Sequence, residues 1–184
     1  MWDPITNKDP MGLACQSDLK ENGSCIDAPN FDPMKDGNRT VQSTPEIDAS
    51  AKANMGSLET TTNKERFGTF DQKDDGSVKF AEVGGTTTDK GSKLEGRMSV
   101  DMANTDAIGH SHPNTKDFSI VPGPMDNGAV EKGLPNYIGR DGQVVVVERV
   151  DGQYQVRVIQ GNLSGADRSG IRNVLRDFQR MTRP

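Results

Sequence analysis

The sequence predicts a mixed α/β (α+β) domain, a β-sheet flanked by helices, preceded by a loose N-terminal segment. Three observations predict it. Residues 136–159 hold three β-branched runs separated by Asp141-Gly142 and Asp151-Gly152, the strongest short-range signal for consecutive hairpins. Residues 164–181 place Ile171, Val174, Leu175 and Phe178 on one face of a helix, with arginines between them. Residues 1–42 are rich in Asp, Asn, Pro, Gly and Ser and show no sustained apolar period.

Bulk composition agrees. Of 184 residues, 32% are hydrophobic, and 20 Gly and 10 Pro are present, too polar a chain to be packed uniformly from end to end. The net charge of −5 and an isoelectric point near 5.1 lack the basic footprint of a nucleic-acid binder, which argues against a nuclease. No apolar run approaches the roughly 18 residues a membrane span needs. No basic region followed by an apolar stretch opens the chain, so no classical signal peptide is expected. Cys15 and Cys25 fit either one disulfide or two free thiols, and two cysteines alone do not define a zinc knuckle.

Taken in order, Ser43-Thr44-Pro45-Glu46 supplies a cap followed by Pro in the first turn. Ile47, Ala51, Met55 and Leu58 then recur at helical spacing, predicting a modest helix that ends near Gly56–Glu59, with Asn54 and Gly56 as poor formers within it. Residues 63–70 and 77–83 form two short β-like runs around Asp74-Asp75-Gly76, a further hairpin. Residues 84–96, rich in Gly, Thr and Lys, are expected to be loop. Met98–Met102 and Ala107-Ile108 lead as a strand into Gly109-His110-Ser111-His112-Pro113. Residues 114–124 are expected as loop and 124–133 as a short helix stopped by Gly133.

The two histidines are the chain's only ones, one residue apart. On a strand, positions i and i+2 face the same side, so both imidazoles can converge on one point. Imidazole is the commonest protein metal ligand and suits zinc. A zinc hydrolase needs three protein ligands, an open fourth position, and a carboxylate nearby to take a proton. The best-placed downstream oxygen ligand is Asp126, at the expected start of the short helix.

The order His110-Ser111-His112-Pro113, a loop, then Asp126 resembles the JAB/MPN (JAMM) metalloprotease family, whose pattern is an upstream Glu, His-x-His-Pro, a loop and Ser-x-x-Asp. A helix followed by Glu65-Arg66-Phe67-Gly68 is similar to that family's Glu-x-x-Gly at the head of a strand, and Gly133 to Ile138 with the valine-rich strand after it looks like bacterial members. The resemblance spans about residues 45–160 and implies a mixed sheet flanked by helices. It also implies that His110, His112 and Asp126 bind zinc and that Glu65 is the general base and acid, with Glu82 as the alternative if the strand register differs. In place of the family's Ser stands Gly123, which leaves Ser111, Ser119 or a backbone N–H as candidates for oxyanion support.

A second resemblance lies in residues 2–13, Trp2-Asp3-Pro4-Ile5-Thr6-Asn7-Lys8-Asp9-Pro10-Met11-Gly12-Leu13. The Asp-Pro-x-x-x-x-Asp-Pro-x-Gly-Leu pattern resembles the end of the core of Rhs-repeat polymorphic toxins, where Asp3 and Asp9 would serve autoproteolysis after Leu13. The shell-forming repeats of that machinery are absent from this chain, so cleavage by these residues alone is not expected. Together the resemblances imply three parts: the core boundary at 1–13, a flexible linker at 14–44, and a metalloprotease-like domain at 45–184. They imply a C-terminal effector injected or secreted by a bacterial secretion system, hydrolysing an amide in a protein, a ubiquitin-like conjugate or peptidoglycan. A dedicated immunity protein is the implied partner. The alternatives are a non-catalytic binding module of the same fold and a protease that processes the toxin system.

Overall fold

The computed structural model describes residues 40–59, 62–89, 94–114 and 119–181. The boundary motif (Asp3, Asp9, Leu13) and both cysteines lie outside them.

Helix α1, Pro45–Asn54, starts where Thr44 Oγ1 accepts from Ile47 N at 3.2 Å, and Pro45 fills the first turn, where a missing N–H costs nothing. Asn54 ends it, and the chain tightens into a 3-10 turn, Met55–Leu58. Ile47, Ala51, Met55 and Leu58 are all buried on one side, as their spacing predicts.

The sheet has six strands: β1, Phe67–Gln72; β2, Val78–Val83; β5, Ala107–Ser111; β6, Asn136–Arg140; β7, Gln143–Val150; and β8, Gln153–Gln160. Their order is β2-β1-β5-β6-β7-β8. Only β5 and β6 run parallel, which makes the sheet mixed. Parallel neighbours need a crossover. Here residues 112–135 make it, carrying the one-turn helix α2, Gly128–Glu131.

The valines of β7 show how the layers form. Val144 and Val146 belong to the core under α1, with Tyr137 and Phe70. Val145 and Val147 belong to the opposite core, with Val130 of α2 and Phe178 of α3, Gly165–Met181. Alternate side chains thus feed two cores, which is why a strand covered on both faces reads as an unbroken apolar run. The tight turns are as predicted: Asp141 and Gly142 take φ of 48° and 71°, and Asp151 and Gly152 take 49° and 76°, the left-handed pair that a type I′ hairpin demands.

A buried polar network locks α1 to the sheet. The fully buried Glu148 carboxylate accepts from Ser43 N at 3.0 Å, Gln155 Nε2 at 2.9 Å and Arg157 Nε at 2.8 Å. Arg157 also donates to Asp48 of α1 at 2.5 and 3.1 Å, and the Tyr137 hydroxyl donates to the same carboxylate.

Four features differ from the sequence expectation. Residues 84–96, expected as loop, contribute to a second, two-stranded sheet of β3, Gly85–Asp89, and β4, Leu94–Met98. Three consecutive β-branched threonines outweigh the glycines there. The expected strand at Met98–Met102 stops at Met98, because Asp101 caps a turn through Ala103 N and Asn104. The short helix begins only at Gly128, so Asp126 sits in the preceding turn. Finally, the last residues of the expected linker are built into the body. Val41 is buried and exchanges both backbone hydrogen bonds with Arg149.

Candidate metal centre

The antiparallel register sets Phe67 opposite His110, and beyond it Ser111 N donates to Arg66 O at 3.0 Å while Arg66 N donates to the Ser111 side-chain Oγ at 3.1 Å. Continuing that register brings Glu65 across from His112. Period-two alternation then turns Glu65, His110 and His112 to the face that carries α2 and α3, while Ser111 faces α1. Glu65, His110 and His112 offer ligand atoms all within 4.8 Å of one another, the one such group among the described residues.

Asp126 reaches the same two imidazoles from the crossover. His110 Nε2 lies 3.3 Å from His112 Nε2, 3.5 Å from Asp126 Oδ1, and His112 Nε2 lies 3.6 Å from Asp126 Oδ2. A tetrahedral ion with bonds of about 2.0–2.1 Å separates its ligands by roughly 3.3–3.4 Å. The two imidazole nitrogens stand at that spacing, and the Asp126 carboxylate turns one oxygen to each of them at slightly longer range.

The outer hydrogen bonds settle which nitrogens face the centre. His112 Nδ1 lies 2.6 Å from the Ser119 carbonyl oxygen, which only accepts, so Nδ1–H donates and Nε2 is left toward the centre. His110 Nδ1 faces Asn136 Oδ1 at 3.2 Å. Both histidines are buried, and a cluster of two inward imidazoles and a carboxylate calls for a positive charge, proton or metal.

The ionisation of the metal-free cluster reflects this. Burial pulls the His110 imidazolium down, but the Asp126 carboxylate, helped by Glu65 and Asn136, outweighs it and raises the value from 6.5 to about 9. Burial pushes the Asp126 carboxyl up, yet the imidazoles facing it, His110 foremost, hold it well below the ordinary carboxylate range. Glu65 moves the other way. Burial raises it, the two histidines partly offset the rise, and Asp126 adds to it.

Glu65 is placed by β3, whose Thr87 Oγ1 accepts from Glu65 N at 3.0 Å. The β3–β4 hairpin lies so close that a Cβ on Gly96 would stand 1.8 Å from Glu65 Oε2. Glu82 is elsewhere: it pairs with Gly68 on β1, faces away from Glu65, and forms a two-point ion pair with Arg66 at 2.8 and 2.5 Å.

Three contacts bear on the serine that the resemblance would place at position 123. The Gly123 N–H donates to Asp126 Oδ2 at 2.6 Å, so it orients the carboxylate instead of standing free for an oxyanion. Ser119 Oγ accepts from Val121 N, and Ser111 Oγ from Arg66 N. The residue the sequence left unnoticed is Asn136, which joins His110 to the backbone of Asp126. Its only sequence signal was a polar residue opening a buried strand.

No protein-family model matches the chain, and no curated protein or solved structure matches it significantly. No helix among the described residues is long and apolar enough to cross a membrane.

Proposed function

We propose that this chain carries a zinc-dependent peptidase or isopeptidase domain of JAB/MPN type, the C-terminal payload of an Rhs-type polymorphic toxin. The observation that carries the metal part is the convergence of His110 Nε2, His112 Nε2 and the Asp126 carboxylate, 3.3 to 3.6 Å apart, with a Glu65 oxygen within 4.8 Å of a ring nitrogen of each histidine. The toxin part rests on the boundary motif in residues 2–13.

The donor set fits zinc: two imidazole nitrogens and one carboxylate, which leaves the fourth position of a tetrahedral site to a non-protein ligand. Zinc, when bound, supplies Lewis acidity and lowers the pKa of water to about 7. Glu65 does the proton work. Its carboxylate accepts the proton of the attacking water and returns it to the leaving amine. Partial burial suits that task, because raising a carboxylate toward neutrality makes it a better base and a usable acid. Asp126 is held for ligation by the Gly123 N–H, and Ser119 and Asn136 hold the imidazoles. Developing charge on the substrate oxygen lacks the family's serine. Loss of one such donor costs about 10²–10³ in rate.

The experiment is metal analysis of the purified protein together with toxicity on expression of wild type, His112→Ala and Glu65→Gln. The expected result is about one zinc per chain, lost in His112→Ala and kept in Glu65→Gln, with toxicity lost in both. Two toxic variants would sink the mechanism, and a zinc-free wild type would sink the metal. A second reading is favoured by the Gly123 N–H being spent on Asp126: a zinc-holding binding module without turnover. Zinc retained by a non-toxic wild type would support it.

The proposed substrate is an amide in a target-cell protein, a ubiquitin-like conjugate or peptidoglycan, reached after secretion or injection. A small immunity protein is the proposed partner, and a pull-down with the expressed domain tests for it.

A further inference from the structure

Asn136 opens β6 directly beside β5, and in the parallel register Ile108 pairs with Asn136 and His110 with Ile138. Asn136 is 3% exposed, and its side chain spans two parts of the site that the sequence keeps apart. The amide Nδ2 donates to the backbone oxygen of Asp126 at 2.8 Å. A carbonyl oxygen only accepts, so the amide's orientation is fixed and Oδ1 must be the atom turned to His110 Nδ1, 3.2 Å away. An amide oxygen also only accepts. His110 Nδ1 therefore carries a proton, and Nε2 is the nitrogen presented to Asp126 and His112.

Building on the zinc-site reading, we propose that Asn136 is the positioning residue of the centre. One end sets the tautomer and ring angle of His110, and the other holds the turn that delivers Asp126. Among the described residues, it is the outer side chain that bonds both the far nitrogen of a ligand on β5 and the backbone of a ligand on the crossover. His112 has its own, independent support in the Ser119 carbonyl. Outer partners of this kind typically govern affinity by about 10- to 100-fold. A buried amide that merely satisfied the Asp126 carbonyl would leave His110 unaffected, which separates the two roles experimentally.

The test measures zinc affinity by competition with a chromogenic chelator for wild type, Asn136→Ser and Asn136→Asp, each checked for folding by circular dichroism. Asn136→Ser reaches neither partner and is expected to bind zinc about 10- to 100-fold more weakly. Asn136→Asp keeps the acceptor for His110 and is expected to bind clearly more tightly than Asn136→Ser. Wild-type affinity in Asn136→Ser, or equal losses in both variants, overturns the proposal. A second measurement needs neither zinc nor a variant. The imidazole ¹H–¹⁵N spectrum of zinc-free wild type should show two slowly exchanging Nδ1–H protons, one per histidine. Fewer than two overturns the assignment. A wild type that binds no zinc but shows both protons refutes the metal reading and leaves the Asn136 contact standing.

Discussion

Arg157→Met tests the network that seats α1 and residues 41–44 on the sheet. Glu148 is 0% exposed, so its carboxylate has no water to fall back on once Arg157 is gone. Breaking a buried ion pair by removing one partner costs about 3–5 kcal/mol. Ser43 N and Gln155 Nε2 remain as donors at 3.0 and 2.9 Å, and Arg157 itself is 36% exposed, which places the expectation at the low end, about 3 kcal/mol. For a chain of this size that lowers Tm by roughly 6–12 °C. Urea unfolding followed by circular dichroism gives the free energy, and calorimetry gives Tm. The double variant Glu148→Gln/Arg157→Met removes the stranded charge and should recover a substantial part of the loss, giving a favourable coupling. A single-variant cost below about 1 kcal/mol, the scale of an exposed ion pair, would refute the reasoning. A double variant no more stable than the single would do so as well.

Three further outcomes are expected. Zinc at a hundredfold excess over its dissociation constant should stabilise the protein by about 2.7 kcal/mol, read as a rise in Tm that chelator reverses and His112→Ala abolishes. In zinc-free protein the stability contributed by the His110–Asp126 pair should be greatest between the ordinary carboxylate and imidazole values, 3.8 and 6.5, while Glu65, raised on folding, subtracts from it above its ordinary 4.5. His110 is raised on folding, so its contribution is complete below 6.5 and fades as pH climbs through about 9, whereas that of Asp126, lowered on folding, is complete above 3.8 and fades toward acid. Denaturant midpoints across pH check this, and a flat profile would contradict the geometry. Gly96→Ala should displace the Glu65 carboxylate, since the new Cβ would sit 1.8 Å from Oε2 and 2.8 Å from the Phe67 ring. Toxicity should fall by roughly 10²-fold while bound zinc persists; unchanged toxicity would argue against Glu65 as the base.

Legibility varied with the range of the interaction involved. Strands β6 to β8 were readable because Asp-Gly turns and β-branched runs act within a few residues. Helix α3 was readable from its single apolar face. The β3–β4 hairpin was not, because Gly85 and Gly96 look like loop residues until Phe67 and Glu65 are seen packed against them. Nor did composition foretell that Val41 leaves the polar N-terminal segment to pair with Arg149, more than a hundred residues away.

For the candidate site, the sequence alone determined the pair of imidazoles on one strand face, since alternation is a property of the backbone. It also supplied Glu65 and Asp126 as candidates, through the motif they resemble. Only the tertiary structure decided that they meet. The β1–β5 register carries Glu65 to the histidines and turns Glu82 away, and the crossover returns Asp126 to the same point. Asn136 too owes its place to packing, because β5 and β6 become neighbours only through that crossover. The physical reason is one of distance: local patterns follow from the torsions of adjacent residues, whereas register and convergence depend on which distant surfaces are buried together.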